Sequence, residues 1–156
     1  MTSKVKAIPD DYRGAIPYLS IRGASEALEF YKKAFGAVEV SRIAAPEGKI
    51  GHAEIKIGEA MIMLADEYPE LAFVSPKALG GSPVHILLYV EDVDAFARRA
   101  TEAGVTVRRP LRDEFYGDRT GQFEDPFGHH WTFSTHVEDV SPEEMEKRLA
   151  AMSGGS

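Results

Sequence analysis

Apolar and polar positions follow nearly the same order in two stretches of the chain, 15–40 and 84–107. Each stretch starts with a short apolar run, 16–21 or 85–90, continues with an amphipathic helical pattern and ends in a further strand. A repeat of this length is one supersecondary unit used twice, because a single copy cannot bury its apolar face alone. We therefore expect the two copies to pair in one domain, with a functional cleft between them.

The first copy predicts one helix surrounded by strands. A stripe of apolar residues over 24–35 predicts an amphipathic helix, and Gly36 supplies the left-handed residue that ends it. Gly58 and Glu59 predict a tight hairpin between two strands. The strands that follow the helix are expected at 38–43, 50–57 and 60–65.

The second copy repeats this plan. Asp92 is suited to cap the start of a helix over 93–103, which should end at Gly104. The segment 125–128, Asp-Pro-Phe-Gly, has the composition of a type I turn. A capping-box pattern predicts a further helix over 142–152. The strands of this copy are expected at 105–109, 115–124 and 130–136.

These elements predict an α+β fold with two βαβββ modules in one chain, related by a pseudo-two-fold axis. Module one should span 15–67 and module two 83–136, together forming a single domain over 15–136. The polar segment 1–14 is expected to be a flexible arm. The segment 137–156 should contain the C-terminal helix and a frayed tail.

Composition narrows the classes of function. The 156 residues are 44% hydrophobic, which suits one domain with a real core. The net charge is −7 and the basic residues do not form the cluster that contacts with phosphates require, so nucleic acid is not an expected partner. No apolar run is long enough to span a membrane, and a signal peptide is not expected. The lack of cysteine excludes disulfides and thiolate chemistry and fits a cytoplasmic protein.

His85 is the main candidate for chemistry, as a catalytic residue or a polar anchor. Strand alternation places it on one face with Leu87 and Tyr89. Its imidazole could hydrogen-bond or deprotonate a bound molecule, since imidazole titrates near neutral pH. The alternative is a histidine on a cavity wall whose hydrogen bonds are satisfied. The other ligand-binding candidates are Tyr18, Met63, Leu87, Tyr89, Tyr116, Arg119 and Thr132.

Two further groups of residues have a functional and a structural interpretation. His52 and Glu54 share a face of one strand and could bind a metal together with His85, or they could form a cross-strand hydrogen bond or ion pair. Arg119 could grip a ligand carboxylate or phosphate at the mouth of the cleft, or it could form a loop with Asp118 that holds the module by local hydrogen bonds. Trp131 is expected in the core, since its alternation places it under the helices.

Several segments carry a family resemblance: 51–55 (Gly-His-Ala-Glu-Ile), 62–67 (Ile-Met-Leu-Ala-Asp-Glu), 115–119 (Phe-Tyr-Gly-Asp-Arg) and 125–131 (Asp-Pro-Phe-Gly-His-His-Trp). On these motifs the chain resembles the vicinal oxygen chelate superfamily, which includes glyoxalase I, extradiol dioxygenases and the bleomycin and fosfomycin resistance proteins. Within it, the chain is most similar to the PhnB-like, glyoxalase-like branch. The resemblance covers about 15–136 and implies paired βαβββ modules.

The resemblance also implies where a catalytic metal would be held. Metal-dependent members place a ligand on the first and last strand of each module, and these positions correspond to Ile16, Met63, His85 and Thr132. Only His85 is a metal ligand among these residue types, and one imidazole does not make a chelate. We therefore expect no tightly bound divalent metal, with His52, Glu54 and His85 as the alternative set.

Two functions remain open from the sequence. The first is a bleomycin-resistance-like protein that binds a small organic molecule in the cleft without a metal. The alternative is a lyase or oxygenase that uses His85 as a base with a metal recruited through His52 and Glu54, so the sequence leaves open whether the protein is an enzyme. The resemblance also implies a homodimer, since family members commonly cover strand edges and helix faces by dimerising.

Overall fold

A computed structural model of the protein describes residues 4–154 and divides the chain into two compact units, Met1–Gly81 and Ser82–Ser156. Residues 1–3 of the predicted arm and 155–156 of the predicted tail lie outside the described residues. Among the described residues, no helix is long and apolar enough to cross a membrane.

The first unit contains one four-stranded sheet and a helix of three turns. The sheet has the order β1-β4-β3-β2, in which β1 runs parallel to β4 and the other neighbours are antiparallel. The elements are β1 (Tyr18–Ile21), α1 (Ala24–Phe35), β2 (Val38–Ala44), β3 (Ile50–Ile57), β4 (Ala60–Asp66) and the short α2 (Pro76–Leu79).

The second unit repeats the topology. Its sheet has the order β5-β8-β7-β6, again with one parallel pair at β5 and β8. The elements are β5 (His85–Tyr89), α3 (Val93–Ala103), β6 (Thr106–Asp113), β7 (Asp118–Glu124), β8 (His130–His136) and α4 (Pro142–Ser153). The predicted α+β fold with two βαβββ modules is therefore confirmed.

Each sheet has one face that packs against its helix, which we call the helix face, and an opposite open face. In the first unit, alternate residues of the strands are buried on the helix face with the apolar stripe of α1. In the second unit, Trp131, Phe133 and Phe123 take this role, and the rings of Phe96 and Phe133 meet at 4.8 Å. Trp131 is fully buried and its indole donates to Asp125 at 2.9 Å, which confirms the expected core position.

Local signals set the ends of the helices. Gly36 adopts a left-handed conformation (φ 67°) after α1, and the Asp92 side chain accepts the Ala95 N–H at the start of α3. Ser141 accepts the Glu144 N–H at the start of α4. These capping predictions are confirmed, and the limits of α1 and α3 agree with the predicted ones.

Two strand limits differ from the prediction by more than two residues. Strand β6 continues through Pro110 to Asp113, because it is an edge strand in which a missing N–H removes no ladder bond. Strand β7 begins at Asp118 instead of residue 115, because the Gly117 N–H donates to the Glu114 carbonyl in a turn. Helix α2 and two 3-10 turns, Pro46–Gly48 and Pro69–Leu71, were not predicted.

Candidate functional site

In the first unit, four predicted site residues lie side by side on the open face. Tyr18 pairs with Met63 across β1 and β4, and Met63 pairs with Glu54 across β4 and β3. His52 lies two residues before Glu54 on β3 and therefore on the same face. The structure thus brings Tyr18, Met63, His52 and Glu54 together.

Glu54 is the centre of a polar cluster on this face. Glu54 is only 6% exposed. Its carboxylate accepts hydrogen bonds from the Tyr12 hydroxyl at 2.5 Å and the Ser41 hydroxyl at 3.3 Å. The His52 Nε2 atom lies 3.5 Å from the same carboxylate, and His52 Nδ1 lies 2.6 Å from the Tyr18 hydroxyl. Polar contacts between strands, expected as the alternative to a metal site, are present between Ser41 and Glu54 and between Tyr18 and His52.

Both tyrosines of this cluster are held in the neutral form. The hydrogen bond to Glu54 raises the pKa of Tyr12, and burial raises the pKa of Tyr18, with the Glu54 charge adding to it. A phenol with a raised pKa stays protonated at neutral pH. These hydroxyls therefore offer a proton to hydrogen-bond acceptors and are unsuited to act as nucleophiles.

In the second unit, the open face carries His85 and its predicted neighbours. His85 pairs with His130, and their rings stack with centroids 5.0 Å apart. Leu87 pairs with Thr132, whose hydroxyl lies 3.5 Å from His85 Nδ1. That contact is long for a hydrogen bond, so the His85 ring keeps hydrogen-bonding capacity for another group.

Further along the same face, Tyr89 begins a chain of short polar contacts. Its hydroxyl donates to the Asp118 carboxylate at 2.5 Å, and His136 Nδ1 lies 2.8 Å from the other oxygen. His136 Nε2 lies 2.7 Å from Asp139. The hydrogen bond to Asp118 raises the pKa of Tyr89. The pKa of His136 is raised by its hydrogen bond to Asp118 and, to a smaller extent, by its hydrogen bond to Asp139.

Tyr116 lies at the turn before β7 and lines a small open-face pocket. Burial raises the pKa of its hydroxyl. The pocket has a volume of about 210 Å³ and is shared with Thr132 and Gln122. Tyr116 and Thr132, two predicted ligand-binding residues, are therefore neighbours in one pocket.

Arg119 has a position that the sequence prediction did not anticipate. It alternates with Asp118 and Thr120 along β7, so it lies on the helix face. Its guanidinium donates to both carboxylate oxygens of Asp94 on α3 at 2.9 Å, and to Asp113 at 3.3 Å. Arg119 therefore makes local bonds within its module, with Asp94 and Asp113 as partners in place of Asp118.

The residues at the family's metal positions do not fit a divalent ion. Among residues 4–154, no group of three or more histidine or carboxylate side chains is arranged to hold a metal. Met63 offers only a thioether, and the Glu54 carboxylate beside it is occupied by two hydroxyl donors. Ile16 has no donor atom. A hard or borderline divalent ion needs about three nitrogen or oxygen ligands, and this donor set does not supply them.

Two βαβββ modules with polar groups on an open sheet face define a protein of the glyoxalase-like class. Residues 19–133 match the Glyoxalase/Bleomycin resistance protein/Dioxygenase superfamily, and the chain belongs to this family. The resemblance inferred from the sequence motifs is therefore confirmed.

Individual relatives support this placement. The protein Mb0911c of Mycobacterium bovis is 42% identical over 142 residues, which cover 89% of this chain and 93% of that protein. The solved structure of the Arabidopsis thaliana At5g48480 gene product has a TM-score of 0.63 and 26% identity and covers 79% of this chain and 98% of its own. The PhnB protein of Bacillus cereus has a TM-score of 0.61, 18% identity and coverage of 79% and 99%. At that identity, the likeness to PhnB concerns the fold.

Sequence reasoning missed two parts of these open faces. Tyr12 belongs to an arm with no periodic pattern, and its bond to Glu54 joins residues 42 positions apart. Asp118 was considered only as a partner of Arg119, whereas the register of β7 and β8 places it opposite His136. Side chains alternate along β7, so Asp118 and Arg119 lie on opposite faces. This alternation could have predicted the position of Asp118 from the sequence.

Proposed function

We propose that this protein binds a small organic molecule at the open faces of its sheets, with His85 as a polar anchor and without a catalytic metal. The observation that carries the proposal is the surface around His85. Leu87 and Tyr89 follow His85 on the open face of β5 and are 50% and 60% exposed, and Thr132 lies beside Leu87 on β8. Apolar and aromatic area beside a few orienting polar groups is typical of ligand sites.

The proposed roles follow from the side chains. Leu87 and the ring of Tyr89 would cover the apolar part of the molecule, and His85 and Thr132 would hydrogen-bond its polar part. In the first unit, Tyr18 and Met63 supply a comparable mixed surface beside the Tyr18–His52 contact. Tyr116 adds a neutral phenol near Thr132.

Proton transfer between His85 and the bound molecule is a separate question from binding. An imidazole with only a long contact to Thr132 can accept or donate a proton once a molecule is bound. A metal-dependent lyase or oxygenase would require the ion to bind to His52 and Glu54, and Glu54 is already bonded to Tyr12 and Ser41.

A thermal-shift screen of small aromatic and amphipathic molecules tests the proposed function. Molecules that raise the melting temperature are then titrated into the wild-type protein, His85→Ala and Thr132→Val. We expect His85→Ala to lose about 1–3 kcal/mol of binding free energy, because its hydrogen-bond partner on the molecule is left unpaired.

The control is Arg98→Gln on α3, which packs against the helix face. It should bind as tightly as the wild-type protein. Molecules that bind His85→Ala and the wild-type protein equally well would show that the site lies elsewhere. A screen in which no molecule binds would favour a protein with a structural role.

We also propose that the protein forms a homodimer. Strand β2 is an edge strand, and its side chains Val38, Val40 and Ile43 are exposed. Exposed apolar side chains on an edge strand favour association, and a partner subunit would cover them. Light scattering at micromolar concentration should give twice the chain mass of 17.1 kDa, whereas a value equal to the chain mass would contradict the proposal.

A further inference from the structure

The first unit contains a pocket of about 740 Å³ that is lined only by residues of this unit. It lies where β4 ends and β3 begins, between two loops that form its lips. One lip is the 3-10 turn Pro46–Gly48, and the other is the segment 67–73. The volume lies within the range of small-molecule sites.

Three aromatic rings and several aliphatic side chains line the pocket. Tyr18 and Phe73 meet edge to face with centroids 5.3 Å apart, and Tyr68 adds a ring that is 55% exposed. Ile50 is buried at the base. Such walls can cover the apolar body of a ligand, and the ring faces also attract cations.

The second lip is held in place by hydrogen bonds. Tyr68 and Phe73 form a β-bridge in which the Tyr68 N–H donates to the Phe73 carbonyl at 2.7 Å. The Glu67 carboxylate accepts the hydroxyl and the N–H of the fully buried Ser75, and the Arg22 guanidinium at 3.1 Å. The pocket is therefore formed before a ligand arrives, which limits the entropy lost on binding.

Both lips contain a strained residue. Glu47 and Ala72 have φ values of 64° and 58°, and they are the only non-glycine residues with positive φ among residues 4–154. A left-handed conformation is uncommon for these residue types, and such strain concentrates at ligand-binding sites. Glu47 belongs to one lip of the pocket and Ala72 to the other. This placement is a separate indication that the pocket has a function.

The carboxylates of the pocket lining indicate which ligand charge the pocket favours, and two of them have internal partners. Asp66 accepts three backbone N–H groups, from Gly23, Ala24 and Ile50, and Glu67 is bonded to Ser75 and Arg22. These two carboxylates therefore belong to the internal structure.

Two carboxylates of the lips remain for a ligand. Among the ion pairs of the described residues, Glu47 and Glu70 pair with no basic side chain, and Lys49 is the only basic residue in the lining. The lips therefore carry a net negative charge over aromatic walls, which disfavours anions and favours cations.

We propose that this pocket binds an organic ammonium ion with an aromatic or apolar body. The rings of Tyr18, Tyr68 and Phe73 hold the body, and Glu47 and Glu70 face the ammonium group. The site goes beyond the proposed function, because Tyr18 is the one residue that it shares with the surfaces proposed above and His85 is not part of it.

Matched probes of different charge test this site. Phenylethylammonium, 2-phenylethanol and 3-phenylpropionate share a phenyl group and differ in charge, and each is titrated by calorimetry and by amide chemical shifts. We expect the ammonium probe to bind about tenfold more tightly than the alcohol, and the carboxylate more weakly than both. The amide shifts should centre on residues 45–51 and 66–73.

Variants separate the contributions of charge and of the aromatic walls. Replacing both lip carboxylates, Glu47→Gln with Glu70→Gln, should remove the advantage of the ammonium probe and leave the alcohol unaffected. Phe73→Leu should weaken the ammonium and the alcohol probes alike. The control Glu59→Gln removes one carboxylate at an exposed hairpin and should change nothing.

Equal affinities for the three probes, or an ammonium affinity unchanged in the double variant, would overturn the proposal. Amide shifts centred outside the pocket would do the same. His85→Ala should bind the ammonium probe normally, so failure of this site and failure of the proposed function are distinguishable.

Discussion

Asp66 and Thr135 occupy equivalent positions in the two modules, and each accepts the N–H of the residue that begins the helix of its module. Asp66 accepts from Ala24 at 3.0 Å, and Thr135 accepts from Val93 at 2.9 Å. Asp66 pairs with Ile21, three residues before α1, and Thr135 follows Ser134, the partner of Tyr89, by one residue. The repeat seen in the sequence therefore includes the way the last strand caps the helix.

The two caps should differ in strength. Asp66→Ala leaves three backbone N–H groups without their acceptor and should lower the free energy of unfolding by about 2–3 kcal/mol. Thr135→Val keeps the shape and loses one acceptor, so it should cost about 1 kcal/mol. Urea unfolding of both variants measures the difference. Equal losses would show that the additional bonds of Asp66 contribute nothing.

Gly117 should be irreplaceable. A Cβ atom at this position would lie 2.1 Å from the Glu138 carbonyl oxygen, and φ is +103°. Gly117→Ala should therefore cost about 3 kcal/mol or more and release the segment that leads to α4. The control Gly58→Ala also has positive φ, but its Cβ would have no neighbour within 4 Å, so it should cost about 1 kcal/mol. Thermal unfolding of the pair gives the comparison.

The sequence predicted the repeated fold well because its signals are local. The end of α1 at Gly36 and the start of α3 after Asp92 depend on residues within one turn of the helix. Strand β6 was predicted to end at residue 109, and only the sheet order shows that it lies at an edge, where Pro110 is tolerated.

The sites were less predictable because they depend on distant pairings. Alternation placed Tyr18, His52 and Glu54 on open faces, but it could not place Tyr12 against Glu54. The pocket between the lips depends on the bridge between Tyr68 and Phe73, and both residues lie outside the predicted strands.

Stability should fall as the pH rises through neutrality because of His136. Its pKa is raised in the folded protein by Asp118 and then Asp139. Such a group stabilises the fold fully below its unfolded pKa of about 6.5, and this contribution is lost as the pH rises through the higher folded pKa.

The urea midpoint of the wild-type protein should therefore decrease between about pH 6 and pH 8, and that of His136→Gln should change less. A titration of the His136 ring by NMR gives the pKa directly. A ring that titrates below its ordinary value would contradict the assignment.

Arg119 should affect stability and leave ligand binding unchanged. Its guanidinium joins β7 to Asp94 on α3, on the helix face. Arg119→Met should lower the melting temperature slightly, since partly exposed ion pairs contribute little. Molecules found in the thermal-shift screen should bind this variant as tightly as the wild-type protein, and weaker binding would restore Arg119 as a ligand contact.

The central claim is that this member of the family binds an organic molecule through His85 without a metal. The direct test is calorimetric titration of one molecule from the screen into chelator-treated protein, before and after addition of manganese, zinc or nickel. We predict the same affinity in all conditions, and weaker binding by His85→Ala. Binding that disappears on chelation and returns with one of these ions would contradict the account.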